Sequence, residues 1–206
     1  MLLYSRKKRV AVDVDGTLAD VMPMWVKVYN EKYGKNLDYR GINKWAFWSD
    51  LGISSREFFQ IFSKAWSRWE EIKPMEENVA ESIKTLQQFC SLDVVTGRTK
   101  DTLKYVKNWL EKHQISYDRF VAVSSWQHKI YLPYEFYIDD SPDLARLAPR
   151  RKKMVLLYNQ PWNTEIKEGV WVKRINNLNE AIEILKRRRC LSPTQPTHIK
   201  YDSRGG

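Results

Sequence analysis

Arg9-Val10-Ala11-Val12-Asp13-Val14-Asp15-Gly16-Thr17 is the stretch on which the reading of this chain turns. Residues 9–14 form a short β-branched run ending in acids, the pattern of a strand buried on both faces of a parallel sheet. Two carboxylates and a glycine follow the apolar residues, at the strand end where open α/β sheets bind their ligands. The rest of the chain supplies the sheet. The spacing predicts strands at 92–95, 120–124, 136–138, 154–158 and 170–172, and helices at 76–89, 99–113, 142–147 and 179–186. Strands alternating with helices predict a doubly wound parallel sheet with helices on both faces, an α/β fold.

The residues at successive strand ends share a chemistry. The first strand ends in Asp13 and Asp15, and the next in Thr96-Gly97-Arg98. The third leads into a loop holding Lys129, and the fourth ends in Asp139-Asp140. Carboxylates gathered at one edge repel each other unless a cation sits among them. Oxygen ligands from Asp13, Asp15 and Asp139 suit magnesium, which keeps several waters and takes a phosphate oxygen. A carboxylate in line with a bound phosphorus can attack it, and a second carboxylate two residues on can protonate the leaving oxygen and then activate water. The Thr96 hydroxyl, the Gly97 amide and Lys129 can supply donors to the nonbridging oxygens.

In order, Asp13-Val-Asp15-Gly16-Thr17, Thr96-Gly97-Arg98, Lys129 and Asp139-Asp140 resemble the four motifs of the haloacid dehalogenase superfamily, over residues 10–158. The resemblance implies a Rossmann-like core with Asp13 as nucleophile and magnesium ligand. It implies Asp15 as acid/base with its backbone carbonyl on the metal, Thr96 and Lys129 on phosphate, Asp139 on magnesium, and Asp140 supporting the metal from behind. Phosphatases and phosphomutases of that superfamily resemble this chain in having Asp two residues after the nucleophile, which implies phosphate-ester hydrolysis.

Residues 20–74 exceed what a crossover between neighbouring strands needs. In that superfamily such an insertion looks like a helical cap, so the expected organisation is a core of 1–19 and 75–189, a cap of 20–74 and a flexible tail of 190–206. Helices are expected at 20–32, ahead of a turn at Gly34, and from Ser54, where Ser54 and Glu57 form a capping box. The insertion carries Trp25, Trp45, Phe47, Trp48, Phe58, Phe59, Phe62, Trp66 and Trp69. Most are expected to pack as the insertion's own core. Trp45, Phe47 and Trp48 fall in an irregular stretch, and together with Arg98 they form the expected substrate pocket, where aromatic faces suit a nucleobase. The Tyr137-Ile-Asp-Asp-Ser141 sequence, Lys129 ten residues before Asp139, and Tyr158-Asn-Gln-Pro161-Trp162-Asn163 look like the 5'(3')-deoxyribonucleotidase family. That resemblance implies a (deoxy)nucleoside monophosphate as substrate. A different small phosphate ester, or the terminal phosphate of a nucleic acid, are the competing readings.

The net charge of +10 over 206 residues favours anionic partners. Much of it lies in local runs at 6–9, 150–153 and 186–189, read as solvated strand and helix ends rather than as a nucleic-acid surface. Two cysteines do not make a disulfide framework, and no apolar run is long enough to span a membrane, so a cytoplasmic enzyme is expected. The oligomeric state is left open, a dimer included.

Overall fold

The computed structural model describes residues 7–190, and of 189 and 190 the backbone alone. The tail expected at 190–206 therefore lies, beyond Cys190, outside the described residues. Six parallel strands form the sheet: β1 (Lys8–Val12), β4 (Cys90–Gly97), β5 (Arg119–Val123), β6 (Phe136–Asp139), β7 (Met154–Tyr158) and β8 (Val172–Ile175). Their order is β5-β4-β1-β6-β7-β8. The chain builds outward from β1 through β4 to β5, then crosses back to lay β6 on the other side of β1. The topological switch point thus falls at the carboxyl end of β1, flanked by the ends of β4 and β6.

Alternate residues of each strand feed two apolar layers. Val10 and Val12 of β1, Leu92 and Val94 of β4, and Leu156 of β7 pack with helices α3 (Val79–Gln87), α4 (Leu103–Lys112) and α6 (Leu178–Cys190). Ala11, Val95, Tyr137, Val155 and Leu157 pack on the other face against α5 (Pro142–Arg151). Both faces of the sheet are covered, which is why its strands read as nearly continuous apolar runs.

The insertion leaves and rejoins the core through a two-stranded antiparallel ribbon, β2 (Ala19–Asp20) with β3 (Lys73–Pro74). Between them lie α1 (Met22–Tyr33) and α2 (Ser55–Trp66), linked by short 3-10 turns. Gly34 ends α1 in the left-handed region expected of a helix C-cap, its N–H donating to the Asn30 carbonyl. Ser54 and Glu57 form the expected capping box at α2. Trp25, fully buried on α1, donates its indole N–H to the Phe58 carbonyl and packs on Tyr29, Phe47 and Phe58.

Several boundaries differ from the sequence reading. The last strand is Val172–Ile175 rather than 170–172: Val172 and Ile175 face the core, whereas Val170 is exposed. Helix α5 continues through Pro149 to Arg151, because a proline in the last turn forfeits a single N–H, and Lys152 closes the helix at φ 51°. The third helix begins at Val79 rather than 76, and the helix expected from 99 opens with a 3-10 turn at Lys100–Thr102. The β2–β3 ribbon has no periodic signal, being only two residues on each side.

Candidate active site

At the carboxyl end of β1 the chain turns sharply. Gly16 adopts φ 71°, its N–H donates to the Ala19 carbonyl, and Leu18 and Ala19 donate back to Val14. This loop packs so closely on Asp140 that a Cβ on Gly16 would stand 2.3 Å from Asp140 Oδ2. A glycine is required there for two reasons, the positive φ and the approach.

Asp13, Lys129, Asp139 and Asp140 meet in this turn, all buried. Lys129 Nζ lies 2.7 Å from Asp13 Oδ1 and 2.9 Å from Asp139 Oδ2. The other oxygen of Asp139 accepts the Ser141 N–H at 2.9 Å, and Asp140 Oδ2 accepts the Trp162 indole N–H at 2.9 Å. Carboxylate oxygens of Asp13, Asp139 and Asp140 lie within 4.8 Å of one another. Three carboxylates therefore face one ammonium. Burial pushes the Asp13 carboxyl up to about 7; Lys129 opposes the shift, while Asp139 and Asp15 add to it. Asp140 is raised well above the usual carboxylate range by burial, with Asp139 and Asp13 adding. Burial alone would push the Lys129 ammonium down, but Asp13 and Asp139 hold it above its ordinary range. A buried group of oxygen donors with more negative than positive charge fits a hard divalent cation, which would offset both the burial and the lesser mutual repulsion that raise Asp13 and Asp140.

Around this cluster stand the other residues predicted from sequence. The Thr96 hydroxyl is buried and has no hydrogen-bond partner among the described residues, so a donor stands ready for a ligand oxygen. Gly97 lies where the 3-10 segment Trp126–Tyr131, which carries Lys129, crosses the end of β4: a Cβ there would stand 2.6 Å from the Trp126 backbone nitrogen. Asp15 does not join the carboxylate group through its side chain. Its Oδ1 accepts the Trp66 indole N–H at 2.8 Å and its Oδ2 pairs with Arg98.

A cavity of about 620 Å³ opens above the cluster, lined by Asp13, Asp15, Arg98, Lys129 and Asp140 at its floor and by Trp45, Phe47 and Trp48 on its wall. The three aromatics singled out from the irregular stretch thus all reach the cavity. Phe47 is also a core residue, edge-on to Trp25 and Phe58. Trp126, its ring centre 6.3 Å from that of Trp45, and Phe59, 5.7 Å from Trp126, extend the wall. These two were not picked out from sequence: Phe59 has the period of a helix core, and Trp126 is a lone aromatic three residues before Lys129. The Gln160-Pro-Trp-Asn163 segment is more than a turn. Gln160 Nε2 donates to the Gly16 carbonyl at 2.7 Å, Trp162 to Asp140, and Asn163 Nδ2 to the carbonyls of Asp140 and Tyr158.

The family model described as "5' nucleotidase, deoxy (Pyrimidine), cytosolic type C protein" matches residues 7–191. The chain belongs to that family. Its likeness to individual proteins is more distant. A Halalkalibacterium halodurans protein named provisionally as a nucleotidase is 24% identical over 185 residues, covering 85% of this chain and 91% of its own. The fold is that of a haloacid dehalogenase-like hydrolase from Streptococcus pneumoniae (TM-score 0.65, 16% identity, 87% of this chain and 98% of that one). It is also that of the Bacillus subtilis hydrolase YfnB, solved bound to magnesium (TM-score 0.59, 16% identity, 88% and 99%). The chain is thus a phosphoric monoester hydrolase of the nucleotidase family, with the fold of haloacid dehalogenase-like hydrolases. Among the described residues no helix is long and apolar enough to cross a membrane.

Proposed function

We propose that the chain hydrolyses (deoxy)nucleoside monophosphates in the cytoplasm, with Asp13 as nucleophile and magnesium as cofactor. The observation that carries this reading is the single cavity joining the buried carboxylates to the aromatic wall of Trp45, Phe47 and Trp48. A base stacked on that wall presents its phosphate to Asp13, whereas a sugar phosphate would leave the wall without a partner. Residues 20–74 serve as the cap over a core of 1–19 and 75–189.

Asp13, Asp139 and the Asp15 carbonyl would hold the metal, with Asp140 beside them; when bound, it neutralises phosphate charge and keeps Asp13 ionised. An Asp13 oxygen bonds to phosphorus as the ester P–O bond breaks, and Asp15 protonates the leaving oxygen. Water then attacks the aspartyl-phosphate, its proton passes to Asp15, and the bond to Asp13 breaks to release phosphate. The unpartnered Thr96 hydroxyl, the Gly97 amide and Lys129 Nζ hold the nonbridging oxygens.

Wild type and Asp13→Asn should be compared on nucleoside monophosphates, sugar phosphates and p-nitrophenyl phosphate, with and without magnesium. Wild type should prefer nucleotides and require the metal, and the variant should lose activity on the order of a thousandfold or more. Substantial residual turnover by the variant would refute the nucleophile. Failure on every nucleotide, or equal turnover of p-nitrophenyl phosphate, would refute the substrate.

A further inference from the structure

Both oxygens of the Asp15 carboxylate are engaged, and the two donors come from different parts of the chain. Oδ1 accepts the indole N–H of Trp66, the last residue of α2, and Oδ2 pairs with Arg98, just beyond β4. The donors are fastened to one another as well. The Arg98 guanidinium lies 4.6 Å from the Trp66 ring centre and 5.1 Å from that of Phe62. Trp66 is fully buried and stands edge-on to Trp109 at 6.2 Å. Trp109 in turn donates to the Ile72 carbonyl at 2.8 Å, next to the ribbon through which the insertion rejoins the core.

Packing alone asks only for an apolar aromatic, and phenylalanine is one with no polar atom to satisfy. An indole N–H taken into a buried position costs free energy unless something accepts it, and here the acceptor is Asp15. We infer that Trp66 is a positioning residue for Asp15: its N–H, with Arg98 stacked on its ring, holds the carboxylate where it can exchange a proton with the leaving oxygen and then with water. The inference rests on the acid–base role proposed for Asp15. In the first half-reaction the electron pair of the breaking P–O bond goes to the leaving oxygen, which takes the Asp15 proton. In the second, the attacking water returns a proton to Asp15. An untethered aspartate would spend most of its time in other rotamers, and alignment of the reacting groups is what positioning supplies. Because Trp66 belongs to α2, proton transfer becomes conditional on the insertion being seated on the core.

Trp66→Phe tests this, since it keeps an aromatic ring beside Arg98 and Trp109 while deleting the donor, and the ring volume it also loses is a packing change that bears on every substrate alike. The readout is kcat/KM, which reports phosphoryl transfer to Asp13, measured on the best alkyl phosphate of the panel above and on p-nitrophenyl phosphate. Nitrophenolate leaves with little need of a proton. The variant should lose about ten- to hundredfold on the alkyl phosphate and less than about threefold on p-nitrophenyl phosphate. In an Asp15→Asn background it should lose nothing further. Equal losses on both substrates, no loss on either, or a loss that persists in the Asp15→Asn background would overturn the inference, the last marking a structural role. Asp15→Asn by itself checks the foundation: without its own leaving-group dependence, the acid–base role fails and the positioning role falls with it.

Discussion

Gly16→Ala is the substitution for which the structure gives the fullest reckoning. The residue sits at φ 71°, where a side chain costs roughly 1–2 kcal/mol. The added methyl would meet Asp140 Oδ2 at 2.3 Å and its carboxyl carbon at 2.9 Å, so the Asp140 side chain must turn away. That movement gives up the 2.9 Å hydrogen bond from Trp162 Nε1, worth about 1.5–3 kcal/mol because the acceptor can be charged. Together the effects predict a destabilisation of about 2.5–5 kcal/mol, a large share of the roughly 5–15 kcal/mol of a typical domain. Urea unfolding reads it directly: at a slope near 2 kcal/mol per molar, the midpoint should fall by about 1.2–2.5 M. Trp162→Phe, which removes the hydrogen bond without straining the turn at Gly16, should show the larger part of that shift. A Gly16→Ala midpoint within about 0.3 M of wild type would show that the turn has slack and would refute the close-approach account.

The other predictions concern the cluster and one remote histidine. Lys129→Met leaves Asp13 and Asp139 buried without their cation and should destabilise the metal-free protein by about 3–5 kcal/mol, with turnover lost; a stable variant in urea titration would contradict this. In Gly97→Ala the new Cβ meets backbone rather than a movable side chain, so the Trp126–Tyr131 segment must shift and carry Lys129 with it. Activity should drop about a hundredfold while circular dichroism stays native, and retained activity would count against the account. His113 packs 4.5 Å from the Trp109 ring, and burial lowers its proton affinity. The unfolded chain then takes up the proton first, so the stability tied to a neutral His113 is present above the unfolded value near 6.5 and is lost as pH falls below it. A stability–pH curve for His113→Phe should be flatter between pH 7 and 5, and parallel curves would rule the linkage out.

What could be read in the sequence was whatever depended on local order. The parallel sheet announced itself through β-branched runs alternating with amphipathic helices, and the ends of those runs carried Asp13, Thr96, Lys129 and Asp139. Gly34 and the Ser54–Glu57 pair marked helix ends because capping is decided within a few residues. Contacts made across long separations could not be read. The Trp66–Asp15 hydrogen bond joins residues 51 positions apart, and Trp66 falls on the apolar period of α2, where core packing was the natural expectation. The Gln160–Gly16 contact spans 144 positions, and only a short family-like segment hinted at it. Val172–Ile175 was misplaced because Val170 and Val172 have equal β propensity, and tertiary burial chooses between them.

The β2–β3 ribbon has a consequence for how this molecule can vary. It holds the two ends of the insertion one strand spacing apart, with Ala19 opposite Pro74 and Asp20 opposite Lys73. Closing a loop on such a ribbon depends only weakly on what lies between its ends, about 0.6 kcal/mol for each doubling of length. The walls of the cavity can therefore be exchanged, lengthened or recomposed without disturbing the register of the six-stranded sheet on which Asp13 and Asp139 stand. Substrate range and phosphoryl chemistry are free to evolve at different rates, and Trp66 is the thread by which a change in the one is felt by the other.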